Sequence, residues 1–484
     1  MKNKFLNFLH NNHTLLFILG LIIFELVVYM IEPLISNNIR LLSSIFIILC
    51  SIIYLIYSMR STKYNTKNLI YLIIIIGVIL RTMYIVYTPI VTRQHDVEWL
   101  DSEGHLKYIY TLYSEGHLPN TNEWQMYHPP FFHSLAAGWL KINDIFNIPL
   151  ERSLEGIQVL TAIFSSLIML AVYKITNKLK LNDKYKILIN AFVAVYPTFI
   201  ILSGSINNDC LTIFLQFLIL WYLIKWYEND SWKNSIILGL ITGLCVMTKL
   251  SGAIMAIPIL YTFIKKFIDY YAHNKKLLLQ LVYKIIVFGI ISLPIGLWYQ
   301  VRCYILFGNN TIPAPGDFLY TGNYSIFERF LSISFSQIFG SIFCVIPGDY
   351  NIFAYIVKCS IFGEYSYGSA NVIHLSMLLI NFILIILSLI YIIKYLFDRK
   401  NKSFIRNLLL INWIVNIISY YSFNIKYPYL CTMDFRYIVP TVFTGIVLLV
   451  DGISKLHNFI IKEIIFWLIY IFIALCFIFI FIIP

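Results

Sequence analysis

The main pattern along the chain is a series of long apolar runs separated by short polar segments. A helix needs about 20 apolar residues to cross the hydrocarbon layer, and a backbone in lipid must satisfy its own hydrogen bonds. The runs are therefore predicted to be membrane-spanning helices, and roughly thirteen are expected. They cover residues 15–35, 41–59, 69–90, 154–173, 187–202, 211–227, 236–247, 253–264, 277–299, 372–395, 408–423, 437–450 and 464–483.

The connections between these runs predict the orientation. Lys and Arg residues concentrate in alternate connections, for example at residues 174–186 and 399–406. Because basic loops stay on the cytoplasmic side, the N-terminus is predicted to be cytoplasmic. The two long connections, 91–152 and 301–370, then face outward and are expected to carry short surface helices. The whole chain, residues 1–484, is expected to form one all-α domain in the plasma membrane.

Composition narrows the class of protein further. Hydrophobic residues make up 59% of the chain and charged residues 12%, whereas soluble domains have about 45–50% and about 25%. This balance excludes an ordinary soluble fold. The net charge of +12 does not predict a nucleic-acid partner, because the basic residues lie in short loops rather than on one face. No CxxC spacing occurs, so neither a zinc knuckle nor a redox motif is indicated.

The first long connection begins with a cluster of ionisable residues. Its imidazoles and carboxylates are His95, Asp96, Glu98, Asp101, Glu103 and His105. From His105 onward, apolar residues recur at helical spacing, which predicts a short amphipathic helix along the membrane surface. Asp101 lies four residues before His105 and would share a face with it near the start of this helix. Two prolines follow His128 and predict the start of a second helix.

Other polar residues lie near the predicted outer ends of later spans. They are Asp209, Lys249, Arg302 and Arg436. Because these ends reach one membrane surface, the residues are predicted to converge with the first long connection. Each has a plainer interpretation as well. Single loop carboxylates and histidines are usually solvated, Lys249 could anchor a helix end by snorkelling, and Arg436 could pair structurally with Asp434.

These motifs resemble the GT-C superfamily, in particular bacterial membrane glycosyltransferases related to the protein O-mannosyltransferases. Residues 95–133 resemble the first outer loop of those enzymes, in which an Asp-Glu pair follows a span and a Pro-Pro motif follows a surface helix. The resemblance continues through residues 203–209, 248–251 and 434–440, so it extends over most of the chain. The order of the motifs is more specific than any single one. The implied fold is a GT-C-like helical bundle.

The resemblance implies transfer of a sugar from a polyprenyl phosphate to an acceptor, with inversion. An acceptor hydroxyl needs a base, and Asp101, Asp96 and Glu103 are the candidates, with His105 as a possible partner. Asp101 is preferred because of its spacing to His105. The sequence reads Asp101-Ser102-Glu103 where the family commonly has adjacent Asp and Glu, so which carboxylate is catalytic stays open.

The leaving phosphate needs positive charge near the interface, and Lys249, Arg302 and Arg436 are the candidate cations. The remaining candidate substrate-binding residues are His95, His128 and Asp209. The acceptor could be a glycan, a lipid or a protein.

A divalent cation is an open alternative, and no cofactor is predicted to be required. The first loop offers His and carboxylate ligands, but no HExxH spacing supports a defined metal site. Two other functions compete with an enzyme. A transporter or flippase of a lipid-linked saccharide would be expected to carry ionisable residues near mid-span and broken helices in repeated halves. A non-catalytic membrane partner predicts no convergence of acids and bases.

Overall fold

The computed structural model describes residues 13–60, 65–98, 100, 104–121, 123–308, 319–398 and 402–483. The chain is all-helical in these ranges, as the apolar runs predict. Its α-helices are α1 (His13–Ile35), α2 (Ile39–Arg60), α3 (Thr66–Tyr87), α4 (His105–Ser114), α5 (Phe131–Ile145), α6 (Leu150–Glu155), α7 (Ile157–Lys178), α8 (Asp183–Val195), α9 (Pro197–Ile201), α10 (Asp209–Glu228), α11 (Trp232–Thr248), α12 (Ala256–His273), α13 (Leu278–Phe307), α14 (Phe335–Phe339), α15 (Ile352–Phe362), α16 (Val372–Phe397), α17 (Phe404–Lys426), α18 (Pro440–Ser454) and α19 (Phe459–Ile482).

The helices confirm a polytopic membrane fold, but not the expected number of roughly thirteen spans. The described part of the chain contains 9 helical stretches long and apolar enough to cross a membrane, or up to 11 if each of two bent pairs counts as one span. The first bent pair joins α8 to Pro197–Gly204 at 49°, and the second joins Leu430–Ile438 to α18 at 55°. The second helix of each pair begins with a proline. Because proline has no backbone N–H to donate and its ring clashes with the preceding turn, it interrupts a continuous helix. α11 is only 17 residues long.

The first apolar stretch folds back on itself. It covers 46 residues and includes α1 and α2. The rings of Phe24 and Phe46 lie 6.4 Å apart and nearly parallel, whereas a continuous helix would separate them by about 33 Å. The chain therefore reverses at the 3-10 turn Ser36–Asn38, and α1 and α2 form an antiparallel pair.

The basic connections gather at one end of the bundle. Lys178 pairs with Glu228 at 2.6 Å, and Arg406 pairs with Asp451 at 2.6 Å. Glu228 ends α10 and Asp451 lies in the last turns of α18. Asp209 begins α10, so it lies at the opposite end. The lysine-rich connections and the candidate site residues thus occupy opposite ends of the same helices.

The two helices predicted in the first long connection are present. α4 begins at His105 and buries one apolar face. α5 begins directly after Pro130, and Trp139 lies in its buried face. The second long connection begins later than predicted. α13 continues to Phe307, so the first residues of the predicted 301–370 loop are helical.

Candidate active site

The loop after α3 is fixed against the segment that precedes α10. Gln94 donates from Nε2 to the Gly204 carbonyl at 2.7 Å and accepts from the Ile206 N–H at 2.8 Å. Asp96 has a left-handed backbone conformation with φ 54°, a region in which aspartate is enriched several-fold among non-glycine residues. These contacts carry His95 and Asp96 to the start of α10.

Arg436 lies at the centre of the site. It is 7% exposed. Its Nη2 lies 3.4 Å from the Asp96 carboxylate, and its Nε lies 3.4 Å from Asp434 and 3.8 Å from Asp209. The expected pairing with Asp434 is thus confirmed, but it is one contact of three. Arg436 joins segments that are more than 300 residues apart in sequence.

Lys249 provides a second cation directly after α11. Its ammonium pairs with Asp209 and lies 5.1 Å from the centre of the Tyr437 ring. Asp209 therefore bridges Lys249 and Arg436, because its other oxygen faces the guanidinium. Two cations face the three carboxylates Asp96, Asp209 and Asp434, so fixed positive charge does not exceed negative charge here.

His95 lies between two buried carboxyl groups. Its Nδ1 is 3.4 Å from Glu364, and its Nε2 is 3.1 Å from Asp434. Burial and the charge of Arg436 hold the pKa of His95 well below its usual range. Burial and the charge of Asp434 raise the pKa of Glu364 well above its usual range, although Tyr355 donates a hydrogen bond to it at 2.6 Å.

These three residues have the geometry of a cation site. One ligand atom from each of His95, Glu364 and Asp434 lies within 4.8 Å of the other two. An imidazole nitrogen with two carboxylate oxygens is a donor set that suits Mn²⁺ or Zn²⁺. The residues present therefore fit a divalent cation. Its carboxylate ligands would be Glu364 and Asp434, neither of which belongs to the first loop.

A cavity of about 540 Å³ opens beside the charged residues. Asp96, Asp209, Lys249 and Arg436 line one part of its wall. The rest of the polar and aromatic lining consists of His105, Gln125, Tyr127, His128, Gln216, Ser251, Gln300, Asn416, Ser419, Tyr420, Phe423, Lys426, Tyr427 and Tyr437. Amides and hydroxyls that form hydrogen bonds, together with aromatic faces, are suited to a sugar.

Three buried histidines form a cluster beside this cavity, and two of them, His105 and His128, line its wall. His105 Nδ1 lies 2.9 Å from His133 Nε2. The His128 ring stacks on His105 with centroids 5.6 Å apart, and the Tyr108 ring stacks on His133 at 4.0 Å. Burial and then the charge of Lys249 lower the pKa of both His105 and His128 well below the usual range. Both causes disfavour the charged imidazolium forms of His105 and His128.

The structure brings together most of the residues that the sequence singles out. His95, Asp96, Asp209, Lys249 and Arg436 contact one another directly or through one partner, and His105 and His128 line the same cavity. The first-choice base Asp101 and the candidate Glu103 lie outside the described residues.

Arg302 lies apart from this group. It belongs to α13, donates from Nη2 to the Pro119 carbonyl at 3.1 Å and does not line the cavity.

Sequence reasoning did not single out Glu364 or His133. Glu364 lies just beyond the end of the apolar helix α15, and this position is the only feature of the sequence that could have indicated a functional role. His133 lies in the first turn of α5, three residues after Pro130, the second proline of the Pro-Pro motif, but helical position alone does not indicate contact with His105.

Comparison with known proteins supports the family resemblance. Residues 127–298 match the family model described as dolichyl-phosphate-mannose-protein mannosyltransferase. The matched segment contains His128, Asp209 and Lys249. No curated protein sequence matches the chain at a significant level.

Two similar solved structures come from Archaeoglobus fulgidus. One is its oligosaccharyltransferase in the apo form, with 15% sequence identity and a TM-score of 0.46 over 86% of this chain and 55% of that chain. The other is the archaeal oligosaccharyltransferase AglB in complex with an inhibitory peptide and a dolichol-phosphate, with 14% identity and a TM-score of 0.48 over 85% of this chain and 56% of that chain. The chain thus spans a little over half the length of these proteins.

Proposed function

We propose that this chain is a membrane glycosyltransferase of the GT-C type, to which the match of residues 127–298 points, and that it transfers a sugar from a polyprenyl-phosphate donor to an acceptor hydroxyl. The observation that carries the proposal is the meeting of Lys249, Arg436, Asp96 and Asp209 in one cavity at the end of the bundle. Group transfer from a lipid phosphate needs cations for the leaving group and a base for the acceptor, and this cavity contains both.

The donor phosphate is assigned to Lys249 and Arg436. The guanidinium can form bidentate contacts with phosphate oxygens, and the ammonium adds a compact charge. An apolar groove with a volume of about 200 Å³ runs between α16, α17 and α18, and Phe435 and Ile438 form part of its wall on either side of Arg436. The groove supports placing the isoprenoid tail among the spans, close to the cation that holds its phosphate.

The base is assigned to a carboxylate of the first outer loop. Asp96 is the described candidate, because it lines the cavity and is one-third exposed at its side chain. Asp101 and Glu103 remain candidates from the sequence. A single displacement places the acceptor hydroxyl and the leaving phosphate on opposite faces of the anomeric carbon, which inverts its configuration. Incubating the purified protein with a panel of polyprenyl-phosphate sugars tests the reaction, and consumption of none of the donors would contradict it.

A divalent cation is proposed to bind at His95, Glu364 and Asp434. The site has two cations against three carboxylates, so a phosphate would add to an existing negative excess. A bound divalent cation would offset that charge near the leaving group. The purified protein is expected to bind Mn²⁺, and His95→Gln is expected to weaken that binding by about tenfold or more. Electron paramagnetic resonance of free Mn²⁺ measures both values.

The control for this measurement is His117→Gln. His117 belongs to the same loop but is exposed and pairs with Glu115. It should leave Mn²⁺ binding unchanged. Equal Mn²⁺ binding by the wild-type protein and His95→Gln would remove this site from the proposal.

The site end of the bundle is proposed to face outward and the basic end to face the cytoplasm. Ser114 is exposed at the end of α4, and Lys180 is exposed beyond the C-terminus of α7. In a cysteine-free background, Ser114→Cys is expected to react with a membrane-impermeant maleimide in intact cells. Lys180→Cys is expected to react only after the membrane is opened. The reverse pattern would contradict the orientation.

A further inference from the structure

The histidine cluster has a feature that phosphate binding by Lys249 and Arg436 does not by itself explain. His105 and His133 are buried, at 2% and 0% exposure, and their facing nitrogens are only 2.9 Å apart. One hydrogen lies between the two nitrogens, because two facing N–H groups would repel. A further proton can therefore bind only to the two ring nitrogens that face away from the partner, Nε2 of His105 and Nδ1 of His133.

The surroundings of the pair include the cations assigned to the donor. The His128 ring stacks on His105, and the Tyr108 ring stacks on His133. Tyr108 in turn donates a hydrogen bond to Tyr299 on α13. Burial lowers the pKa of His105, and the charges that lower it further include those of Lys249 after α11, Arg436 before α18 and His95 in the first loop. The carboxylates of Asp96 and Asp209 line the same cavity as His105. The backbone N–H of His105 also donates to the backbone carbonyl of Asp96 at 2.9 Å.

We propose that the His105–His133 pair takes up a proton when the donor phosphate binds, and so adds a positive charge beside those of Lys249 and Arg436. The inference rests on the proposed function, because it takes the phosphate position from Lys249 and Arg436. The cations Lys249 and Arg436 are already outnumbered by the carboxylates Asp96, Asp209 and Asp434. The phosphodiester of a sugar donor brings one further negative charge, and the polyprenyl phosphate that leaves can carry two. An imidazole pair beside the cavity can offset this charge by taking up a proton.

The charges around His105 change its pKa in the direction that this coupling requires. Burial, Lys249 and Arg436 together lower the pKa of His105. A phosphate bound to both cations cancels their repulsion of a proton, so the pKa of His105 rises in the complex. Burial and His105 lower the pKa of His133, whereas the Pro129 carbonyl raises it. A charged ring hydrogen-bonded to a neutral one is also favoured over an unpaired charge.

Because proton uptake is coupled to phosphate binding, the proposal can be tested by measuring binding alone, without measuring catalysis. If binding raises the pKa, the complex holds more protons than the free protein, and phosphate affinity falls as pH rises through the pKa of the complex. A short-chain polyprenyl phosphate serves as the probe, measured by titration calorimetry between pH 6 and 8 in two buffers of different ionisation enthalpy. The wild-type protein is expected to take up a proton fraction approaching about one per bound ligand.

The matched variants are His105→Gln and His133→Gln, each of which keeps an amide where a ring nitrogen stood. Both are expected to bind the probe with little proton uptake and with a flatter pH dependence. Protonation of the phosphate itself contributes equally in every variant, so it cancels in the difference from wild type. The exposed His117→Gln is the control and should show wild-type uptake.

Two outcomes would overturn the inference in distinguishable ways. Binding with equal proton uptake in wild type, His105→Gln and His133→Gln would overturn the coupling and leave the donor site standing. No binding of the probe to the wild-type protein at any pH would overturn the donor site, and the coupling with it.

Discussion

Lys249→Gln is expected to weaken binding of a polyprenyl-phosphate donor by about tenfold to a hundredfold. A charge-assisted hydrogen bond contributes about 1.5–3 kcal/mol, and each 1.4 kcal/mol corresponds to about tenfold in affinity. Lys249 is 12% exposed at its side chain and pairs with Asp209, so the lost charge is poorly replaced by water. Binding of a fluorescent polyprenyl-phosphate sugar to the detergent-solubilised protein measures the change.

Two further variants separate charge from structure. Lys249→Arg keeps the cation beside Asp209 and should recover most of the affinity. Arg302→Gln removes a cation that contacts the Pro119 carbonyl outside the cavity, so it should bind donor like the wild-type protein. If Arg302→Gln lost donor binding while Lys249→Gln kept it, the phosphate position assigned to Lys249 would be wrong.

Arg436 is a poorer subject for neutral substitution. It contacts Asp96, Asp209 and Asp434 together, and its removal would leave buried carboxylates unpaired, which destabilises a fold by several kcal/mol. Arg436→Lys keeps the charge and loses the fork of donors. It tests bidentate binding with less risk to folding.

The sequence predicted the local elements of the site well, because their signals lie in adjacent residues. The helical spacing after His105 and the proline pair before Phe131 each involve a few consecutive positions, and both helices begin there. The membrane fold likewise follows from runs of apolar residues. The expected count of roughly thirteen spans was not confirmed, because the runs 15–35 and 41–59 belong to one apolar stretch and the run 236–247 lies in α11, which is only 17 residues long.

The contacts between distant segments could not be predicted in the same way. Glu364 reaches His95 from 269 residues away in sequence, and its position after α15 looks like any polar residue at a helix end. His133 reaches His105 across the turn between α4 and α5. Such partners depend on how whole helices pack. A single sequence contains no signal for that packing apart from the family resemblance, which indicated a site but not its pairs.

The base is expected to be identified by replacing each first-loop carboxylate with its amide. Asp101→Asn keeps the shape of the side chain and removes its basicity, and it is expected to lower turnover by at least about a hundredfold, the scale of a general base. Asp96→Asn and Glu103→Gln are measured in parallel, because Asp96 also lines the cavity and contacts Arg436. Donor binding and thermal stability, measured for each variant, separate loss of the base from loss of the fold.

The pattern of the three variants assigns the role. If Asp101→Asn turns over normally while Asp96→Asn is inactive with donor still bound, the base is Asp96. Its contact with Arg436 at 3.4 Å would then hold it in position beside the acceptor. Normal turnover in all three variants would exclude Asp96, Asp101 and Glu103 as the base.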